Sequence, residues 1–230
     1  MSKRIGSACI LLGVICLLCA FGLLVYNSWE DKNVAVVSQA LLEDVQSIIA
    51  ENKSNNFNNS DNKTQDSTQD STQDLTQDIT QEITQDDLQD ETLAVPTEMK
   101  TVRVGEYDCI GILTIPALEV ELPVLTDWSY VKLKKAPCLY YGSYYEKDFV
   151  IAAHNYNTHF GRLSELQAGD IVIFTDVNGV EYYYEVVLLE TLPKEATKEM
   201  IASGFDLSLY TCTPGGANRV TVRCRTAQVN

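Results

Sequence analysis

Ser208-Leu209-Tyr210-Thr211-Cys212-Thr213-Pro214-Gly215-Gly216-Ala217-Asn218-Arg219 is the stretch that decides the fold. An apolar run ends in a cysteine, and a turn-rich segment of six residues follows. An arginine then opens an alternating run, Val220-Thr221-Val222-Arg223-Cys224-Arg225. The pattern predicts two antiparallel strands joined by a hairpin-like loop, with Pro214, Gly215 and Gly216 as turn residues. Cys212 then ends one strand and Arg219 opens the next, side by side at one end of a sheet. A cation beside a thiol lowers its pKa, and the thiolate is the nucleophile.

Working back from this hairpin, residues 110–116 and 120–125 read as two strands with a short turn between them. Residues 127–135 suit a short helix, and 138–141 a strand. Residues 148–154 form a buried strand that ends in a histidine. Residues 160–166 read as a helical turn. Strands over 170–175 and 180–189 flank Asn178-Gly179, a strong hairpin signal. Residues 192–204 read as a loop with one helical turn. The total is about eight short strands with little helix, which is an all-β barrel or sandwich.

The N-terminal half has a different texture. Ile5 to Tyr26 is 22 residues without a charge. As a helix it would span about 33 Å, enough for a hydrocarbon core. Lys3 and Arg4 precede it and Glu30 and Asp31 follow, so the positive-inside rule puts residues 1–4 in the cytoplasm and the rest outside. A cleaved signal peptide is the alternative. The run exceeds a usual signal core, and no clean small-x-small site precedes Tyr26, so a retained anchor over 5–26 is favoured. Residues 27–50 carry an amphipathic pattern suited to a stalk helix or to packing on a partner. Residues 51–100 are an acidic, low-complexity spacer. Its Thr-Gln-Asp/Glu unit recurs from Thr68, Thr72, Thr76, Thr80 and Thr84, and the composition predicts disorder and an extended chain.

The net charge of −15 sits mainly in the middle: residues 27–99 hold 16 acids and 3 bases, residues 100–230 hold 16 acids and 12 bases. No basic face is indicated, which argues against a nucleic-acid partner. Cys9, Cys16 and Cys19 fall in the apolar run. Cys109, Cys138, Cys212 and Cys224 form no C-x-x-C pair, and two histidines support no zinc site. The spacing leaves a Cys109–Cys138 disulfide open. His154, at a strand-to-loop boundary, is the candidate site histidine; His159 reads as a loop or capping residue. Each of His154, Cys212 and Arg219 alone has a bland reading, respectively a surface histidine, a small buried hydrophobe and a solvated strand residue. Their conjunction at strand ends points to a site.

These segments together resemble the sortases, cysteine transpeptidases of Gram-positive bacterial surfaces. Ser208-Leu209-Tyr210-Thr211-Cys212 is similar to the family's Thr/Ser-Leu-x-Thr-Cys signature, and Arg219 stands where its arginine opens the next strand. Phe149-Val150-Ile151-Ala152-Ala153-His154 resembles the histidine-bearing strand. Phe160-Gly161-Arg162-Leu163 with Gly169-Asp170, and Ile112-Leu113-Thr114-Ile115-Pro116 through Leu122-Pro123-Val124, match further segments.

The resemblance implies a closed eight-stranded sortase-type β-barrel over 101–230, after the transmembrane helix and spacer. It implies a membrane-anchored enzyme outside the cell that cleaves an LPxTG-like sorting signal after threonine. Cys212 would form the thioester, Arg219 would donate to the substrate carbonyl or oxyanion, and His154 would serve as general acid and then base. Thr211 would help position substrate. The implied partners are surface proteins bearing a C-terminal sorting signal, and a peptidoglycan precursor or other amine, such as a pilin lysine, as acceptor. No cofactor is implied. Some relatives use calcium, for which the sequence offers no matching site. No Asp-Pro-aromatic lid motif precedes the barrel, and Cys212 lies 58 positions after His154. Both points favour a compact anchoring enzyme over a pilin polymerase. The competing readings are a hydrolase of the same fold, an inactive peptide-binding surface module, and an L,D-transpeptidase; the last would place histidine and glycine before the cysteine, where Tyr210-Thr211 stand.

Overall fold

A computed structural model of the chain describes residues 2–61 and 98–228. The Thr-Gln-Asp/Glu repeats expected to form the spacer lie outside the described residues. One helix, α1 (Ser2–Asp61), precedes nine strands: β1 (Val102–Val104), β2 (Tyr107–Ile115), β3 (Val120–Leu125), β4 (Cys138–Tyr141), β5 (Phe149–Ala152), β6 (Ile171–Asp176), β7 (Glu181–Pro193), β8 (Leu207–Cys212) and β9 (Asn218–Thr226). Two short helices, α2 (Tyr130–Leu133) and α3 (Thr197–Ile201), sit between strands.

The strands follow the order β1-β2-β3-β4-β5-β8-β9-β7-β6, and β2 also pairs with β6. That last pairing closes eight strands into a barrel and leaves β1 as a short extension beside β2. Closure depends on a glycine. Gly111 lies at a bulge in β2, and a Cβ there would sit 2.1 Å from the Thr175 carbonyl oxygen. The sheet is mixed, because β3 runs parallel to β4 and β5 parallel to β8. At the Asn178-Gly179 turn, Asp176 Oδ1 accepts from the backbone N–H groups of Asn178 and Val180. The carboxylate thereby replaces strand partners for two donors that the turn leaves free.

Alternation along the strands sends Leu113, Ile115, Phe149, Ile151, Phe174, Leu207, Leu209 and Val222 into one core inside the barrel. A second core lies outside it, between the barrel and α1. Leu41, Leu42, Val45 and Ile49 recur at helical spacing and pack on Cys109, Ile112, Leu125, Leu133 and Cys138. Each such side chain contributes roughly 1.5–3 kcal/mol of transfer free energy when buried. The amphipathic face of 27–50 therefore has its partner within the chain: this part of the helix lies along the barrel instead of standing off as a stalk. The helix also continues past residue 50, with Asn52 donating to the Val177 carbonyl at 2.8 Å. Within the described residues one helix is long and apolar enough to cross a membrane; its apolar window has a mean hydropathy of 2.2 and none of it is buried. Cys109 and Cys138 are both buried free thiols, and burial pushes them up to about 11 and about 12.

Candidate active site

The three candidate residues lie at or just past the ends of the neighbouring strands β5, β8 and β9. In the β8–β9 ladder Cys212 is the Cα partner of Arg219, as the hairpin reading requires. Such cross-strand pairs have Cα atoms about 4.5–5.5 Å apart. On the other side β5 runs parallel to β8 with Ala152 opposite Tyr210. The pairing continues one step beyond the strand, where the Ala153 N–H donates to the Tyr210 carbonyl at 3.2 Å. His154 follows β5 by two residues and Cys212 ends β8, so the two stand just past and at the ends of adjacent parallel strands. Cys212 and Arg219 thus form a register pair at the ends of β8 and β9, and His154 begins the loop after the neighbouring β5.

Local bonds hold this edge. Thr211, expected to position substrate, is buried, and its hydroxyl donates to the Ala153 carbonyl at 2.8 Å. In this structure it ties the cysteine strand to the histidine strand and does not face the groove. Nη1 of Arg219 donates to the carbonyls of Gly216 and Asn218, both at 3.0 Å, which fixes the side chain over the β8–β9 loop. Nε and Nη2 take no protein partner among the described residues, so they are available to an oxygen of a bound molecule. The loop itself is pinned where the Asn218 N–H donates to Thr213 Oγ1 at 3.1 Å. Beside Arg219 a narrow crevice is lined by Tyr140, Tyr210, Pro193, Thr197 and Met200.

His154 is half-buried and its ring lies 5.2 Å from that of Tyr156. Burial, reinforced by the Lys134 ammonium and opposed by the Glu30 carboxylate, holds it below its ordinary value. The shift favours the neutral ring, and a protonated His154 gives up its proton more readily than an ordinary imidazolium. Glu30 comes from α1, where it accepts from the Tyr156 hydroxyl at 3.1 Å. Neither Glu30 nor Lys134 is marked by the sequence pattern as belonging to this site; the path of α1 across the barrel brings Glu30 there, and the end of α2 brings Lys134.

His159 differs from its reading as a loop or capping residue. It is 0% exposed, and neither ring nitrogen has a protein partner among the described residues. The neighbouring Phe160 and Leu163, both core residues, are the sequence signal for this burial. Burial, with His154 nearby, pushes His159 down to about 4 from 6.5. Between these values the unfolded chain takes up a proton that the folded chain does not, so stability falls as pH drops from 6.5 and levels off below about 4. The total loss is roughly 3 kcal/mol. Urea midpoints at about pH 7 and about pH 5 should differ less in a His159→Gln variant than in the wild type; an identical pH difference would refute the assignment.

Among the described residues no group of three or more His, Cys, Asp or Glu side chains could hold a metal ion. The sortase domain family model matches residues 113–227. The chain belongs to the sortase family. No curated protein matches it. Among solved structures, this sortase is similar to sortase A from Corynebacterium diphtheriae, at 22% identity and a TM-score of 0.49 over 54% of this chain and 63% of that one. It thus spans less than two thirds of the corynebacterial chain. It is also similar to Streptococcus pneumoniae sortase C, at 27% identity and a TM-score of 0.48, over 55% of this chain and 69% of that chain. Clostridium perfringens sortase C follows at 22% identity and a TM-score of 0.45, over 53% and 71% of the two chains. The matched residues contain the barrel strands from late β2 onward, with His154, Cys212 and Arg219 among them.

Proposed function

We propose that this sortase is a membrane-anchored cysteine transpeptidase acting outside the cell. It cuts an LPxTG-like sorting signal after the threonine and transfers the protein to an amine of the cell wall or a pilin lysine. The observation that supports the reading is the register that pairs Cys212 with Arg219, on a strand whose parallel neighbour β5 leads into His154.

Each residue has a role that its position supports. The Cys212 thiolate attacks the threonine carbonyl, and the C–N bond to the following glycine breaks as the C–S bond of the thioester forms. Arg219 donates from Nε or Nη2 to the oxygen that gains charge. Imidazolium at His154 gives its proton to the leaving amine, and the resulting neutral ring takes a proton from the incoming amine. Burial holds the ring below its ordinary value, which favours the neutral form as base and makes the imidazolium a readier proton donor. The run Ile5–Tyr26 is the anchor, with residues 1–4 on the cytoplasmic side. The partners are surface proteins with a C-terminal sorting signal and a peptidoglycan precursor or similar amine. The proposed chemistry uses no cofactor, calcium included.

The test is partition between acceptors. The chain is incubated with a library of five-residue motifs of the Leu-Pro-x-Thr-Gly type, with and without triglycine, and products are read by mass. The expected result is a peptide adduct on Cys212 and a ligated product that replaces hydrolysis when triglycine is present. Hydrolysed peptide alone at every triglycine concentration would overturn the transpeptidase reading in favour of a hydrolase.

A further inference from the structure

We infer that the segment Trp128–Lys135 lies in the outer headgroup layer of the bilayer that α1 crosses, so that the Cys212 groove opens at the membrane surface. The inference rests on the membrane-anchor reading of Ile5–Tyr26 given above.

The first observation is the absence of any joint. α1 is one helix from Ser2 to Asp61, so the apolar run and the barrel-packing face share a single axis. The barrel is attached to it immediately past the apolar run. Glu30 accepts from Tyr156 at 3.1 Å and pairs with Lys134 at 3.8 Å, and Asp31 accepts from Asn157 at 3.4 Å. Four helical residues separate Tyr26 from Glu30, a rise of about 6 Å. That is about the depth of one headgroup layer, since a bilayer of about 40–45 Å contains a hydrocarbon core of about 30 Å. Farther along the helix Asn52 meets Val177, so the Asn178-Gly179 end of the barrel lies away from the membrane and the His154 end lies toward it.

The second observation is what the barrel presents at that level. Lys134 belongs to the stretch Trp128-Ser129-Tyr130-Val131-Lys132-Leu133-Lys134-Lys135. Leu133 anchors the stretch in the core beside α1. Trp128, Tyr130 and Val131 instead point outward, with 42%, 74% and 68% of their surface exposed. Lys132 pairs with Asp127 and Lys134 with Glu30, while Lys135 has no ion-pair partner among the described residues, so the stretch itself is basic in an otherwise acidic chain. Exposed aromatic rings interleaved with lysines are what the interface between lipid and water selects, because the rings sit among headgroups while the ammonium groups meet lipid phosphates. Tyr26 and Trp29 of α1, with ring centroids 6.5 Å apart, supply aromatic residues at the same height.

The third observation links this surface to the chemistry. Trp128 packs on Tyr140 at 5.7 Å, and Tyr140 packs on Tyr210 at 5.2 Å, two residues before Cys212. An unbroken aromatic row thus leads from the membrane-facing segment to the thiol. A peptide emerging from the bilayer would meet the groove with little free chain between them.

The chain contains two tryptophans, so Trp29→Phe leaves Trp128 as the sole reporter. The full-length variant is reconstituted into phosphatidylcholine–phosphatidylglycerol vesicles whose acyl chains are brominated close to the headgroup. The expected result is a blue-shifted Trp128 emission that loses most of its intensity in the brominated vesicles and resists aqueous iodide. Flotation of the same vesicles after an alkaline wash tests the anchor separately. A chain that floats but keeps its emission in brominated lipid, and is quenched by iodide, overturns this inference alone. A chain that fails to float overturns the anchor reading and this inference with it. Protection of Trp128 by a sorting-signal peptide without quenching by bromolipid would assign the segment to the peptide, and so also overturn it.

Discussion

Replacing Cys212 with alanine is expected to abolish peptide cleavage and the covalent adduct together, while leaving the fold intact. The side chain is half-buried at the end of β8 and belongs to neither core, so losing its sulfur leaves no cavity in them. Its register partner Arg219 keeps its bonds to Gly216 and Asn218, which involve backbone oxygens only. The unfolding midpoint should therefore move by less than about 0.5 kcal/mol, the usual range for a surface position. Turnover should fall at least roughly a thousandfold, since the thioester cannot form without the Cys212 sulfur. Cys109, Cys138 and Cys224 cannot substitute: all three are buried, with their thiols held at about 11 and about 12. A Cys212→Ala chain that still cleaved the peptide would end the thioester mechanism. A graded comparison sharpens the result. Arg219→Ala removes the donors to the oxyanion and should cost roughly a hundredfold or more. Arg219→Lys keeps the charge but loses the forked donor geometry and should recover little.

Why were these residues readable in advance, when others were not? The Cys212–Arg219 pairing is local: a strand, a short turn and a strand fix it, and six intervening residues leave few alternatives. The barrel strands alternate visibly and their turns carry Gly or Asn-Gly, so most of the architecture follows from period and punctuation. What escaped were consequences of distance. β1 is three residues long and has no periodicity of its own; it exists because Val102 and Val104 find partners in β2. β7 runs on to Pro193 because β9 continues the ladder as far as Asn218. The face of α1 was visible as a pattern, but its partner surface is assembled from β1, β2, β3, β4 and α2, and no local signal names it. Thr211 shows the same limit at one atom: the motif marks it, but only the approach of Ala153 decides that its hydroxyl points into the protein. Glu30 reaches the His154 loop across more than a hundred residues of sequence, and the charge balance at that histidine is invisible until the helix is in place.

Arg223 stands in an alternating run where nothing local marks it, and its replacement should have the largest effect on stability. In an alternating strand an arginine reads as solvated, yet only 1% of this one is exposed. Nε pairs with Glu190 at 2.8 Å, Nη1 donates to Ser208 Oγ at 2.8 Å, and Nη2 donates to the Glu199 carbonyl at 2.8 Å. Nη1 also reaches the Met200 carbonyl at 3.4 Å, and the guanidinium lies 5.7 Å from the centre of the Phe205 ring. One side chain thus joins β7, β8 and α3. Arg223→Met keeps much of the volume but leaves Ser208, Glu190 and two carbonyls of α3 without their donor. Breaking such a buried pair costs about 3–5 kcal/mol, and the partial exposure of Glu190 favours the lower end. Thermal unfolding should shift down by roughly 10 °C. Activity should suffer separately, because Thr197 and Met200 line the crevice beside Arg219. A loosened α3 should raise KM more than it lowers kcat, and amide exchange should accelerate over Thr197–Ile201 before the rest of the barrel. Arg223→Lys, which retains the charge toward Glu190 and loses the fork, should fall between the two. If Arg223→Met unfolded within about 0.5 kcal/mol of the wild type, the guanidinium would be packing in the wall of the groove without holding it.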